Sequence, residues 1–352
     1  MDTAKTYYCQ NCGAVMEFDA ASQNLKCPSC GNEIEIKNDA TKVIEHKLTR
    51  HVLNSVKPEQ KTSTSMECEG CGALVEVDAT STATTCPYCG SNYVLAKKQM
   101  DAVIPDGVVP FRIDKVQTGE IYRKWIKGRW LAPSALKTLY QTEKIQGIYL
   151  PYWTFDADVD ARYRAMGGED YDVNYQEDDG EIRTETNTRW YSTSGHVHNF
   201  FDDVLIRASN KLKSNLVNSL VYNTQNISSY SPDYMSGYCA EIYTIDLEEA
   251  HKEAMNKMSN EMRNLCEKDV LRTYDRVSDL NMDLDYENET YKHVLLPIYS
   301  TTYYYKGKEY HVLINGQSGV ISGEYPKSAF KIAMIIIVII IIIVFVFYYI
   351  NS

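Results

Sequence analysis

The sequence predicts an α+β protein with two small N-terminal β modules, a tyrosine-rich α+β domain containing an antiparallel sheet, and one C-terminal membrane-spanning helix. Three observations predict this fold. Four CxxC pairs stand near the N-terminus, and alternating apolar and polar runs fill the middle together with one long helical pattern. The chain then ends in an isoleucine-rich apolar run. Alternation indicates half-buried strands, and a period of 3.6 residues indicates a helix with one buried face.

The apolar run, residues 332–350, contains no charge and no proline. As a helix it spans about 28 Å, close to the hydrocarbon thickness of a bilayer. Lys327 and Lys331 flank its N-terminal end, and basic flanks favour the cytoplasmic side. No secretory signal pattern precedes the first CxxC pair. We therefore expect a single-pass, tail-anchored protein of the cell membrane with its N-terminal domains in the cytoplasm.

The CxxC pairs form an internal duplication. A shift of 59 residues superimposes eight of the ten cysteines, and it also matches the glycines that follow each pair. In a reducing compartment, paired CxxC motifs indicate metal ligands rather than disulfides. The remaining two, Cys239 and Cys266, are expected to be small buried apolar side chains.

Each copy resembles a zinc ribbon. Zn²⁺ takes four thiolates in a tetrahedron, each CxxC turn supplies two of them, and a glycine after the turn adopts positive φ at low cost. The segments between the pairs, residues 14–20 and 73–79, alternate as strands. We expect ribbons at residues 7–37 and 66–96 with one Zn²⁺ each, and iron is the competing metal. Four cysteines leave no open position for catalysis. The predicted ligands are Cys9, Cys12, Cys27, Cys30, Cys68, Cys71, Cys86 and Cys89.

Charge argues against nucleic acid as the partner of these modules. Between residues 9 and 36 the only basic residue is Lys26, and between residues 68 and 95 there is none. The whole chain carries a formal net charge of −11. Binding to phosphates needs clustered lysine and arginine, so protein partners are favoured.

The middle of the chain divides into a linker and a domain. Residues 38–65 are polar, and we expect their second half to be flexible. His46 and His51, which also lie in this linker, are expected to be solvated. Residues 108–328 are long enough for a domain with its own core. Helices are predicted over residues 118–127, from Pro133 through Leu139, and from an Asp246 cap onward, where a methionine stripe is expected to face the core. Residues 147–165, which alternate from Thr154 onward, are expected to be a strand, and residues 293–326 an antiparallel meander turning at Lys306-Gly307.

Two features of this domain could be interpreted as metal sites or as ordinary structure. The acidic, tyrosine-rich stretch 166–195 is expected to be a hairpin turn or solvated loop, and its EDDGE sequence at 177–181 fits no calcium loop. His196 and His198 would project from one face of a strand, where ordinary strand histidines are favoured over a metal pair because no third ligand is apparent.

The CxxC modules, residues 147–159 and residues 293–328 together resemble a bacterial family of membrane proteins called transcription-factor-IIB-type zinc-ribbon proteins, often mislabelled primosomal-helicase-like. The most specific part is the meander ending in NGQSG before a hydrophobic segment. The resemblance implies partners of the phage-shock or flotillin-like envelope-stress kind. Two ribbons and the acidic insert depart from the simplest family pattern.

The functional expectation is a non-enzymatic, membrane-tethered scaffold or adaptor that docks proteins. No Walker loop, GxSxG elbow or other catalytic motif is present in the sequence. The alternatives are a membrane-bound transcription or nucleic-acid regulator that uses the ribbons, and an enzyme with redox-active CxxC pairs or a cleft in the tyrosine-rich domain. The acidic ribbons disfavour the nucleic-acid regulator, and the paired ligand spacing disfavours the enzyme.

Overall fold

The protein is α+β in the computed structural model, which describes residues 7–36, 43–55, 60–68, 74–76, 83–86, 92–94, 98–137, 145–176 and 182–351. The described helices are α1 (Arg50–Ser55), α2 (Lys115–Gly128), α3 (Ser214–Val217), α4 (Leu247–Val270) and α5 (Ala329–Asn351), with 3₁₀ turns at Ser134–Lys137, Thr224–Asn226 and Pro232–Met235. The strands are β1 (Glu17–Asp19), β2 (Asn24–Lys26), β3 (Glu33–Ile34), β4 (His46–Lys47), β5 (Gln60–Glu67), β6 (Leu74–Glu76), β7 (Ala83–Thr85), β8 (Asn92–Val94), β9 (Lys98–Val103), β10 (Gly107–Val108), β11 (Gln146–Gln176), β12 (Ile182–Arg207), β13 (Ser228–Ser229), β14 (Cys239–Glu241), β15 (Arg276–Tyr305), β16 (Lys308–Asn315) and β17 (Ile321–Gly323).

Three very long antiparallel strands organise the main sheet. β11 pairs with β12 along one edge and with β15 along the other, and β15 pairs in turn with β16. The second edge of β15 also receives β10 in parallel and β4 in antiparallel orientation. β17 continues the meander beyond β16, so the predicted C-terminal meander and its turn at Lys306-Gly307 are confirmed.

The first third of β11 is buried on both faces, and the next part of the strand is buried on one face only. Residues 147–157 are buried without interruption, because both faces of the sheet are covered there. From Val159 to Ala165 buried and more exposed residues alternate, since one face packs on α4 while the other meets solvent. The strand therefore belongs to the core at its beginning and to an open sheet further on.

Helix α4 covers one face of this open sheet. The Asp246 carboxylate accepts a hydrogen bond of 2.9 Å from the amide of Glu249, as the predicted cap requires. Its buried stripe contains Met258 and Met262, so the methionines face the core as expected. The full stripe is Leu247, Ala250, Ala254, Met258, Met262, Cys266 and Val270.

Other predictions need correction. The stretch 166–195 is strand rather than loop in its described residues, because β11 and β12 pair from Tyr152–Arg207 to Gln176–Ile182. The predicted turn at 177–181 lies outside the described part. The 38–65 segment, predicted to be a linker that is flexible in its second half, contains β4, α1 and part of β5 among its described residues. The helix expected after Pro133 is a single 3₁₀ turn in the described residues, which stop at Lys137.

The C-terminal helix α5 is long and apolar enough to cross a membrane. The span Ala329–Ile350 has a mean hydropathy of 3.4, and none of its apolar window is buried inside the protein. A soluble core helix of this composition would be covered by its own chain, and this one is not.

Candidate metal centre

Four predicted cysteine ligands converge at the N-terminus. Cys9, Cys12, Cys27 and Cys30 place their sulfur atoms within 4.8 Å of one another. The Cys9–Cys30 and Cys12–Cys27 Sγ–Sγ distances are both 3.5 Å. A tetrahedral ion with metal–sulfur bonds of about 2.3 Å requires sulfurs about 3.8 Å apart. The cluster therefore fits one metal ion.

Two matching turns position these sulfurs. In the first, the Gly13 amide donates to the Cys9 carbonyl at 2.8 Å, and in the second the Gly31 amide donates to the Cys27 carbonyl at 2.9 Å. Gly13 and Gly31 have φ of +73° and +75°, which confirms the positive φ expected after the first two CxxC pairs. Side chains other than glycine would strain this backbone.

The thiols also interact as a group of potential charges. Burial raises the pKa of Cys9, but the amides of Asn11 and Cys12 and the neighbouring thiols outweigh it and bring the pKa to about 6. The Asn32 amide lowers the pKa of Cys30, whereas Cys9, Cys12 and Cys27 raise it to about 12. Four adjacent thiolates repel one another, and a cation removes that repulsion.

The N-terminal module, residues 7–36, is docked on the main domain. The Phe18 amide donates to the Ser236 carbonyl at 2.9 Å, and the Ser236 hydroxyl donates to the Met16 carbonyl at 2.6 Å. The Phe18 ring meets Tyr234 edge-on at 5.3 Å. Met16 and Phe18 are buried in one hydrophobic cluster with residues of the domain. These contacts join the module to the main domain.

The second predicted set is described in part. Cys68 and Cys86 are both buried in one hydrophobic cluster with Val75, while Cys71 and Cys89 lie outside the described residues. Strand β6 of this segment pairs with β14 of the domain, with Val75 opposite Glu241. The second segment therefore also joins the main sheet.

An acidic group that the sequence did not single out lies at a bulge of β11 and β12. Asp156, Asp202 and Asp203 bring carboxylate oxygens within 4.8 Å of one another. The buried Lys292 ammonium lies 2.7 Å from Asp203 and 3.9 Å from Asp156. Burial lowers the pKa of Lys292, but Asp203 and Asp156 raise it further, so the net direction is upward. The Lys292 ammonium thus offsets one negative charge of this three-carboxylate group.

The two strand histidines lie where predicted, and a carboxylate lies beside them. His196 Nε2 is 2.8 Å from Asp160 Oδ1, and His198 Nδ1 is 3.5 Å from the same oxygen. Sequence reasoning missed this third group because Asp160 belongs to the neighbouring strand. Its only signal was the alternation of aspartates at positions 156, 158 and 160. His46, expected to be solvated, is 2.7 Å from Asp106 instead.

The apolar helix is tied to the domain at its first turn. The Lys331 ammonium donates to the carbonyls of Trp130 at 2.9 Å and Ala132 at 2.7 Å. The Ser328 amide donates to the Leu131 carbonyl at 2.9 Å. The loop after α2 and the start of α5 therefore form one connected unit.

Comparison with known proteins finds a relative of nearly the same length. The uncharacterized protein YdjG of Bacillus subtilis (strain 168) is 28% identical over 329 residues, which cover 93% of this chain and 92% of that protein. No family model and no solved structure matches the chain. The assignment of a function therefore depends on the chemistry and placement of the residues described above.

Proposed function

We propose that this protein is a non-enzymatic, tail-anchored scaffold that docks protein partners at the cytosolic face of the cell membrane. The observation that carries the proposal is the direct attachment of an uncovered apolar helix to the sheet domain. Lys327 and Lys331 at the head of that helix favour a cytosolic position for everything that precedes it.

The metal of the N-terminal module is proposed to be Zn²⁺, with Cys9, Cys12, Cys27 and Cys30 as its ligands. A saturated thiolate set gives zinc a structural role, because no position remains for water or substrate. The duplication supports a second zinc ion at Cys68, Cys71, Cys86 and Cys89. Both modules are then zinc ribbons whose metal stabilises their fold.

Metal content tests this part of the proposal. The full chain in detergent, after exchange into metal-free buffer, should retain two zinc ions per chain by elemental analysis. Cys12→Ser should lower the content to one, as should Cys71→Ser, and the double variant should retain none. A wild-type content of one ion or fewer, or of iron, would contradict the assignment.

The outward side of the N-terminal module offers a docking surface. One face is occupied by the main domain, whereas Tyr8 is 58% exposed and Val15 is 40% exposed beside the first CxxC turn. Glu33 and Glu35 are exposed on the same module, and Lys26 is already paired with Glu33 at 3.0 Å. A partner with an apolar patch and basic residues would match this surface.

This charge disfavours the alternative of a membrane-bound nucleic-acid regulator. Phosphates are bound by free lysine and arginine, and the N-terminal module has only Lys26 between residues 9 and 36. Duplex DNA titrated into the full chain at low salt should show no binding. Binding that falls steeply with added salt would favour the regulator instead.

The partner itself can be found by crosslinking in intact cells followed by identification of the captured proteins. The family resemblance favours phage-shock or flotillin-like membrane proteins. Removal of residues 331–352 should abolish capture if recruitment at the membrane is the function, and unchanged partners would contradict it. Tyr8→Ala should weaken capture, whereas Val116→Ala, at a similarly exposed position on α2, should not.

A further inference from the structure

His196 and His198 occupy alternate positions of β12, so both side chains lie on the same face of the sheet. The register places Asp160 of β11 directly opposite His198. One oxygen of Asp160 is 2.8 Å from His196 Nε2 and 3.5 Å from His198 Nδ1. Two imidazoles and one carboxylate therefore meet on adjacent strands.

This face of the sheet is open to solvent. Helix α4 packs on the opposite face, against the alternate residues Val159, Ala161 and Val197. The side chains of His196 and His198 are 57% and 51% exposed. A dissolved ion can reach all three groups without any movement of the backbone.

The surrounding charge favours a cation. The neighbouring strand pairs place Asp285 beside Asp160, Glu287 beside Asp158, and Asp283 beside Arg162. Five carboxylates lie on this face against two guanidinium groups, so five negative charges minus two positive charges leave a net charge of −3. The carboxylates are Asp158, Asp160, Asp283, Asp285 and Glu287, and the guanidiniums are Arg162 and Arg164.

We propose that His196, His198 and Asp160 form a surface site for a divalent transition-metal ion, separate from the four-cysteine centre. Imidazole nitrogen combined with carboxylate oxygen suits zinc, nickel and copper, while sites made of oxygen alone suit calcium and magnesium. Asp160 Oδ1 lies beside both rings in the structure, and rotation of the two imidazole side chains would be needed to bring their nitrogens to a shared ion. Asp158, whose Oδ1 is 3.7 Å from His198 Nε2, lies close enough to supply a fourth ligand.

Nickel is the most selective probe, because it prefers imidazole ligands and so distinguishes this site from the all-carboxylate group at Asp156, Asp202 and Asp203. The full chain, untagged, in detergent and with zinc already bound to its cysteines, would be titrated with Ni²⁺ in a calorimeter. We expect a nickel site that is lost in the His196→Gln/His198→Gln variant. Asp160→Asn should weaken the affinity at least about tenfold.

The matched control is His46→Gln/His251→Gln. Each of these histidines also has a carboxylate partner, at 2.7 Å for His46 and 2.6 Å for His251, but only one imidazole is present at each place. The control should keep the nickel site. Equal binding by wild type and His196→Gln/His198→Gln, or loss of binding in the control, would overturn the proposal. The zinc content of all variants should stay unchanged, so the result is independent of the ribbon assignment.

Discussion

Replacing His293 by phenylalanine should remove an acid-sensitive contribution to stability. His293 lies on β15 and is 4% exposed, with its ring 4.8 Å from Trp153 and 5.8 Å from Tyr243. Neither ring nitrogen has a hydrogen-bond partner. Burial lowers the pKa of His293 from 6.5 to about 4, because the site disfavours the charged imidazolium.

The sign and the size of the effect follow from proton binding. The unfolded chain binds a proton at this histidine near pH 6.5, whereas the folded chain binds one only near pH 4. The contribution is therefore fully present above pH 6.5 and is lost as the pH falls from 6.5 to 4. A shift of about 2.5 units corresponds to about 3 kcal/mol in total, of which about 2 kcal/mol is lost by pH 5.

The measurement is urea unfolding of the full chain in detergent, followed by tryptophan fluorescence at about pH 7.5 and about pH 5. Acid also protonates the cysteine ligands and releases metal, but that loss is common to wild type and variant. His293→Phe should therefore lose about 2 kcal/mol less than wild type between the two pH values. The control Tyr243→Phe removes a neighbour of the His293 ring whose pKa is raised above 10 by burial, so it does not titrate between these pH values and should lose as much stability as wild type.

The same pH dependence in His293→Phe and wild type would refute this reasoning. It would mean that the imidazole reaches solvent or a partner in the folded protein, so that its proton is held as in the unfolded chain.

Three further predictions concern the module and the buried lysine. Phe18→Ala should destabilise the full chain by about 3–5 kcal/mol in urea unfolding while the cysteine centre keeps its metal, and unchanged stability would mean that the module is not docked. Gly13→Ala should speed metal loss to a chelator because φ is +73°, whereas Gly128→Ala, which also has open space and no positive φ, should not; equal rates would contradict the strain argument. Lys292→Met should cost about 3–5 kcal/mol because buried carboxylates lose their cation. Lys252→Met on the surface should cost less than about 1 kcal/mol, and a similar loss in both would show that Lys292 is not effectively buried.

Local features were predictable wherever neighbouring residues determine them. The CxxC turns at Cys9 and Cys27, the Asp246 cap of α4 and the Lys306-Gly307 turn each depend on a few consecutive residues, and each is present in the structure. The apolar helix was likewise evident from composition alone, although it begins earlier than predicted, at Ala329.

Features that depend on distant partners were not predictable. The N-terminal module docks through Met16 and Ser236, which are 220 residues apart, and nothing in either local sequence identifies the other. The hairpin through residues 166–195 lacks a clear apolar alternation because much of it is exposed on both faces, so pairing between the strands rather than burial defines it. Asp160 joins the histidines only through the pairing of β11 with β12, whose register is continuous from Ala157–Phe201 to Gln176–Ile182.

The connection between the main sheet and the apolar helix α5 is short. Strand β17 ends at Gly323 and α5 begins at Ala329. The intervening residues span at most about 20 Å even when fully extended, and Glu324 among them is paired with Lys213 at 2.7 Å. With α5 inserted in a membrane, as proposed, the end of the domain next to Glu324 would be held close to the lipid surface. Partners that diffuse in the same membrane would meet it by a two-dimensional search, and soluble partners would have to come to the bilayer surface.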